Sequence, residues 1–208
     1  MKKKISIMLK VFMVFCFACA SVSCLEITQH VSMNGSMMRT NTRVSIQKSL
    51  FMLANEYGGN LDMSDFSIET ISDTIPKEYI RSIEQIDTQI EYGASITLEY
   101  SATTALDKIQ MINDSFFIPV KTGNKLILVI NPSEMDQDSE YSDIMLMIFL
   151  GFKYRLFISK TVLANPKKVT IMRKDVNYQA NLINYPELTV IEMPMLVIFG
   201  DDSFQIVI

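Results

Sequence analysis

The chain has 208 residues, of which 49% are hydrophobic and 20% are charged, and its formal net charge is −4. An acidic balance argues against nucleic acid as a partner and against a polybasic attachment to anionic lipid. One histidine and three cysteines leave little material for histidine-based catalysis, a zinc site or a disulfide framework.

The first 24 residues have the three-part layout of an exported precursor. Lys2, Lys3 and Lys4 form a positively charged start, and an apolar run covers residues 11–20. This run is about half of the ~20 residues that a membrane-spanning helix needs, so cleavage is favoured over a retained anchor. Small residues then precede Cys24. This arrangement resembles the lipobox of bacterial lipoproteins, in which signal peptidase II cuts before a cysteine that becomes acylated.

Cysteine usage agrees with that resemblance. Cys16, Cys19 and Cys24 all lie in the leader, so a cut before Cys24 leaves one thiol at the mature N-terminus. Ser21 stands where lipoboxes commonly have leucine, a departure that spirochaete-type lipoboxes tolerate. We therefore predict a lipoprotein signal peptide over residues 1–23. Ordinary secretion after cleavage nearby and an uncleaved anchor are the two alternatives.

The mature chain, residues 24–208, is predicted to be a single domain with a sizeable core. The leader contains four lysines and no acid, so its removal takes the formal net charge to −8. Attachment to a membrane of the bacterial cell envelope must therefore come from acyl chains such as palmitate on Cys24. Stable anchoring takes more than one such chain.

The mature chain opens with a predicted β-hairpin. Apolar and polar residues alternate up to Met33, as in a half-buried strand, and Asn34-Gly35 is a strong signal for a tight turn. A two-residue turn at these positions pairs Met33 with Ser36. It also places His30 opposite Arg39 on the polar outer face.

Apolar residues spaced by three or four predict three helices. The first begins at about Ser45 and ends before Gly58-Gly59, the second begins at Pro76, and the third covers residues 102–112. Residues 144–150 are apolar throughout. We favour a helix there, and a strand is nearly as well supported.

Further strands are predicted from alternation and from turn residues such as Gly123 and Pro166. Strands near both ends of the chain with helices between them favour an α+β fold. This fold has a mostly antiparallel β-sheet, with N-terminal and C-terminal strands and about three to four packed helices. The predicted strands cover residues 96–100, 116–120, 125–130, 152–162, 168–173, 188–193 and 204–208.

The layout as a whole resembles the LppM-like domain of small bacterial lipoproteins. The residues that carry the resemblance are the lipidated cysteine, the Met33-Asn34-Gly35-Ser36 turn, the aromatic strand at 152–158 and the turn at Asn165-Pro166 before a further strand. The resemblance implies an envelope-facing α+β domain that binds lipid or glycolipid. It supplies no catalytic residues.

No catalytic residue, metal ligand or cofactor is assigned. His30 is the only histidine and is predicted to be a solvated surface residue. The acids between Glu134 and Asp143 have the alternate spacing of a calcium loop, but an EF-hand frame starting at Asp136 puts Met147 where the bidentate glutamate belongs. A solvated loop is favoured instead.

Methionine is unusually frequent, with 15 in the chain, and flexible thioethers suit adaptable apolar surfaces as well as ordinary cores. We therefore predict a non-enzymatic lipoprotein with a Met- and Phe-rich groove for lipid or glycolipid. The alternative is a structural or adaptor lipoprotein that docks another envelope protein. The candidate groove residues are Met145, Met147, Phe149, Phe152, Tyr154 and Phe157.

Overall fold

The computed structural model describes residues 25–49, 52, 68, 75, 77–102, 118–130, 153–173, 176–194 and 204–208. These residues form twelve strands and one short 3-10 turn at Lys77–Tyr79. The strands are β1 (Leu25–Asn34), β2 (Met37–Gln47), β3 (Ile80–Asp87), β4 (Glu91–Ser101), β5 (Pro119–Thr122), β6 (Lys125–Ile130), β7 (Lys153–Ser159), β8 (Thr170–Arg173), β9 (Val176–Gln179), β10 (Asn181–Asn184), β11 (Leu188–Pro194) and β12 (Phe204–Val207).

The strands are arranged in two sheets. The larger sheet has the order β10-β11-β7-β1-β2-β4-β3, and the smaller has the order β5-β6-β12-β8-β9. The pairing of β1 with β7 is parallel, and the other strand pairs are antiparallel. β1 is the middle strand of the larger sheet, so the first residues of the predicted mature chain enter its centre.

The first hairpin is confirmed, but its predicted register is wrong. Asn34 pairs with Met37, so the two-residue loop is Gly35-Ser36 and His30 lies opposite Asn41 rather than Arg39. Gly35 takes a positive φ of 61° at the first loop position, as the usual two-residue hairpin turns require there. The observed loop lies one residue later than the predicted one, so each residue of β1 pairs with a residue of β2 two positions later than predicted. A shift of two residues keeps every side chain on its predicted face.

The predicted α+β fold with three to four helices is wrong, because the described residues are mostly β-strand. The helix predicted to begin at Pro76 is replaced by β3. A β-bulge just after Ile80 shifts the register, so that Ile80 lies opposite Leu98 and Ile83 lies opposite Ile96. An inserted residue puts two isoleucines three positions apart on one face of a strand, which mimics helical spacing.

The other helix predictions have different outcomes. Ser45 belongs to β2, which continues to Gln47 before two residues with helical backbone at 48–49. Ala102 lies in a turn, and the rest of the third predicted helix lies outside the described residues, as does segment 144–150.

One apolar core contains residues of both sheets. Alternate residues of the larger sheet are buried on its inner face, and the hydroxyl of Tyr100 in β4 donates a hydrogen bond of 2.5 Å to the carbonyl oxygen of Pro119 in β5. This bond joins the two sheets across the interior. The largest fully buried side chains are Met38, Ile96, Leu98, Leu126, Leu128, Tyr154, Leu156, Ile158, Ile171, Ile191 and Met193.

Candidate ligand-binding site

The predicted groove residues separate in the structure. Tyr154 is buried on the inner face of β7, whereas Phe157 lies half-buried on the opposite face. There its ring stacks on His30, with centroids 4.4 Å apart and planes at 5°. A single groove therefore cannot be lined by both aromatic rings. The other candidates, Met145, Met147, Phe149 and Phe152, lie outside the described residues, as does Cys24.

Tyr154 belongs to a line of buried polar groups that crosses β7, β1 and β2. Its hydroxyl donates to Oε1 of Gln29 at 2.7 Å, and Nε2 of Gln29 donates to Oγ1 of Thr42 at 2.9 Å. All three side chains are almost completely buried. Burial raises the pKa of Tyr154, so its hydroxyl stays protonated and remains a donor at neutral pH.

Thr40 lies two residues from Thr42 on the same face of β2 and is fully buried. Its neighbours in the register are Val31 and Leu98, both apolar. Within the described part of the chain, Oγ1 of Thr40 has no hydrogen-bond partner. Burying a hydroxyl without a partner costs about 1–3 kcal/mol, so this group needs a physical explanation.

Tyr100 provides a further polar group on the inner face. Besides its bond to Pro119, its hydroxyl lies 3.3 Å from Sδ of Met38. Burial raises the pKa of Tyr100, and the electrostatic effect of Tyr154 raises it further. The inner face thus combines a few oriented polar atoms with apolar surroundings.

Sequence reasoning missed Gln29, Thr40 and Thr42 as site residues. The signal was present, because the alternation that predicts the first hairpin puts all three on its inner face. Polar residues at inward positions of two adjacent strands indicate either a buried hydrogen-bond network or a site.

The outer face of the larger sheet is polar and charged. Arg155 donates to Glu26 at 2.6 Å and to Glu192 at 3.0 Å, and Lys153 donates to Glu192 at 2.7 Å. Hydrogen bonds from Lys153 and then Arg155 lower the pKa of Glu192. The hydrogen bond to Glu192 is the main factor that raises the pKa of Arg155. Partly exposed pairs of this kind contribute little stability.

His30 is confirmed as an exposed residue of this face. Desolvation lowers its pKa from the usual value, which means that the neutral ring is favoured on Phe157. The folded protein therefore binds a proton at His30 less readily than the unfolded chain does, whose histidine pKa is near 6.5. The contribution of His30 to stability is fully present above that pH and decreases as the pH falls below it. Among the described residues, no group of three or more His, Cys, Asp and Glu side chains could hold a metal ion.

Comparisons with family models, with curated proteins and with solved structures give no match to this chain. In the part of the chain that the structure describes, no helix is long and apolar enough to cross a membrane.

Proposed function

We propose that this protein is a bacterial envelope lipoprotein, anchored through acyl chains on Cys24, that binds an apolar ligand and catalyses no reaction. The leader and the cysteine that follows it support the anchor. The position of β1 supports it as well, because this strand begins at Leu25, directly after Cys24. Such a short connection suits a domain that works at the membrane surface.

The unpartnered hydroxyl of Thr40 is the observation that carries the binding role. The apolar part of an acyl chain or glycolipid would pack against the apolar side chains of the inner face. Its polar atoms would form a hydrogen bond with the hydroxyl of Thr40, next to the Gln29–Thr42 hydrogen bond. The candidates Met145, Met147, Phe149 and Phe152 stay predictions, because they lie outside the described residues. Phe157 is not part of the site, because it lies on the opposite face of β7 from Tyr154.

Thr40→Val keeps the shape of the side chain and removes its hydroxyl. We expect the affinity for a fluorescent fatty acid to fall about threefold to tenfold, because one net hydrogen bond contributes about 0.5–1.5 kcal/mol. Native mass spectrometry of a variant lacking Cys24 should show co-purified lipid that Thr40→Val retains less well. The ligand hypothesis is wrong if the unaltered domain gives a clean apo mass and takes up no fatty acid.

Thr42→Val is the matched control, because its hydroxyl already accepts a hydrogen bond from Gln29. This variant should lose stability, with a smaller effect on fatty-acid affinity. If Thr40→Val instead raises the free energy of unfolding and leaves binding unchanged, the Thr40 hydroxyl is only a buried core group without a hydrogen-bond partner and contacts no ligand.

Cys24→Ala tests the anchor directly. We expect incorporation of labelled palmitate to be abolished and the protein to move from the membrane fraction to the soluble fraction. Cys19→Ala is the control, because Cys19 lies in the predicted leader and should leave both readouts unchanged. Unchanged labelling and unchanged partition in Cys24→Ala would contradict lipid attachment at this residue.

A second candidate function is docking of another envelope protein. It is favoured by a row of apolar and aromatic side chains that crosses the outer face of the larger sheet. In this row Ile183 is 51% exposed, and Val190 and Phe157 are half-buried next to His30. Recovery of one stoichiometric protein partner, together with an absence of bound lipid, would favour this function over ligand binding.

A further inference from the structure

The position of Cys24 determines which end of the larger sheet lies nearest the acyl chains. Cys24 is bonded to Leu25, the first residue of β1, and consecutive Cα atoms are only about 3.8 Å apart. β1 has ten residues, so the far end of the strand lies roughly 30 Å away. We call the near end of the sheet the anchor edge. In the register it contains Gln47, Asp87, Glu91 and Lys153.

The turn between β3 and β4 projects from the anchor edge and carries an exposed apolar residue. Ile90 is 68% exposed. Oγ1 of Thr88 accepts hydrogen bonds from the backbone N–H groups of Ile90 and Glu91, at 3.2 and 2.9 Å. Turns usually have Gly, Asn, Asp or Ser at such positions. The hydrogen bonds of this turn involve the backbone of Ile90 and not its side chain, so they do not explain why an isoleucine stands there. Half-buried Tyr92 follows on β4.

A single exposed isoleucine is ordinary on a protein surface, so its location has to be considered together with the local charge. Five acids lie at or near the anchor edge among the described residues, and four of them are ion-paired. The fifth, Glu84, is exposed and lies in the same register row as Glu192. The pairs are Arg43–Glu91, Lys48–Asp87, Lys153–Glu192 and Arg155–Glu26. Among the described residues of this edge, four cations therefore offset four of the five acids, although the predicted mature chain has a net charge of −8. This pairing reduces the repulsion from anionic headgroups that unpaired acids would produce.

From these three features we infer that the anchor edge is a membrane-contact surface and that Ile90 inserts into the lipid bilayer beside the acyl chains of Cys24. Apolar side chains of interfacial segments enter the boundary between headgroups and acyl chains by about 5–10 Å. Tyr92 then lies at headgroup level, where aromatic residues with a polar end are enriched. The strands extend away from the membrane, and the β10–β11 turn points into solvent. This inference rests on the lipid anchor proposed above.

The test uses the full acylated protein in vesicles of phosphatidylcholine and phosphatidylglycerol. No cysteine follows Cys24 in the sequence, so Gln89→Cys and Glu187→Cys each introduce one free thiol for an environment-sensitive fluorophore. Both positions are exposed turn residues, but Glu187 lies at the end of the sheet opposite the anchor, next to the Leu188–Ser159 pair. We expect a blue-shifted emission and quenching by spin-labelled lipid at position 89 and a water-like signal at position 187. Adding Ile90→Ser to Gln89→Cys should remove most of that quenching.

The outcomes separate this inference from the proposed anchor. If the acylated protein fails to float with vesicles, the anchor is wrong and the contact surface is wrong with it. If the protein floats but position 89 stays water-like, or positions 89 and 187 are quenched equally, the anchor stands and the membrane-contact edge is overturned. Quenching at 89 that is unchanged by Ile90→Ser would overturn the role of Ile90.

Discussion

Gly93→Ala should lower the free energy of unfolding by about 3 kcal/mol, the upper end of the usual cost of overpacking. Gly93 lies in β4 and pairs with Ser45 of β2. A Cβ at Gly93 would overlap the carbonyl oxygen of Val44 and would lie 2.7 Å from Cα of Ser45. Both are backbone atoms of paired strands, so neither can move away without weakening the ladder. Urea unfolding followed by circular dichroism measures the effect.

Gly123→Ala is the control for that experiment. Gly123 lies in the β5–β6 loop, where a Cβ would meet open space but φ is 59°. Its replacement should cost only the strain of a left-handed backbone, about 1–2 kcal/mol. A loss for Gly93→Ala no larger than that for Gly123→Ala would show that β2 and β4 can separate locally at low cost.

Tyr154→Ala should cost about 3–5 kcal/mol, as expected when a large aromatic side chain is removed from a core. Tyr154 is fully buried and donates to Oε1 of Gln29. Tyr154→Phe keeps the ring and removes only the hydroxyl, so we expect a loss of about 1–3 kcal/mol from the weakened buried network. Thermal and urea unfolding of the two variants separate the contribution of the ring from that of the hydroxyl.

Phe157→Ala is the matched comparison on the same strand. Its ring is half-buried and stacks on His30, so its loss should cost clearly less than the loss of Tyr154. Equal destabilisation by Phe157→Ala and Tyr154→Ala would contradict the assignment of the two rings to an inner and an outer face of β7.

The strands could be predicted where the local pattern is unambiguous. Alternation before Gly35 and the turn residues around Gly123 were sufficient to predict both hairpins. The isoleucines at 80 and 83 were misread, because a bulge places residues three positions apart on one face of a strand, as a helix does. Nothing in the local sequence distinguishes these two arrangements, since the bulge is defined by pairing with β4.

The candidate site was less predictable than the strands, because it depends on contacts between distant segments. Gln29 and Tyr154 are 125 residues apart in sequence, and only the parallel pairing of β1 with β7 brings them together. The polar character of Gln29, Thr40 and Thr42 at inward positions was readable from alternation. The missing partner of Thr40 was not, because hydrogen bonding in the core depends on the whole fold.

The parallel pairing of β1 with β7 also has a consequence for folding. β1 can pair with β2 as soon as the hairpin is formed, but Glu26 and Arg155, which join β1 to β7, are 129 residues apart. Contacts of such long sequence separation form slowly, because a long loop must be closed first. Until β7 pairs with β1, the backbone groups on the side of β1 that faces away from β2 are unpaired. An exposed strand edge of this kind promotes aggregation. The strand that would follow the proposed anchor is therefore the one whose protection during folding depends on a segment synthesised late.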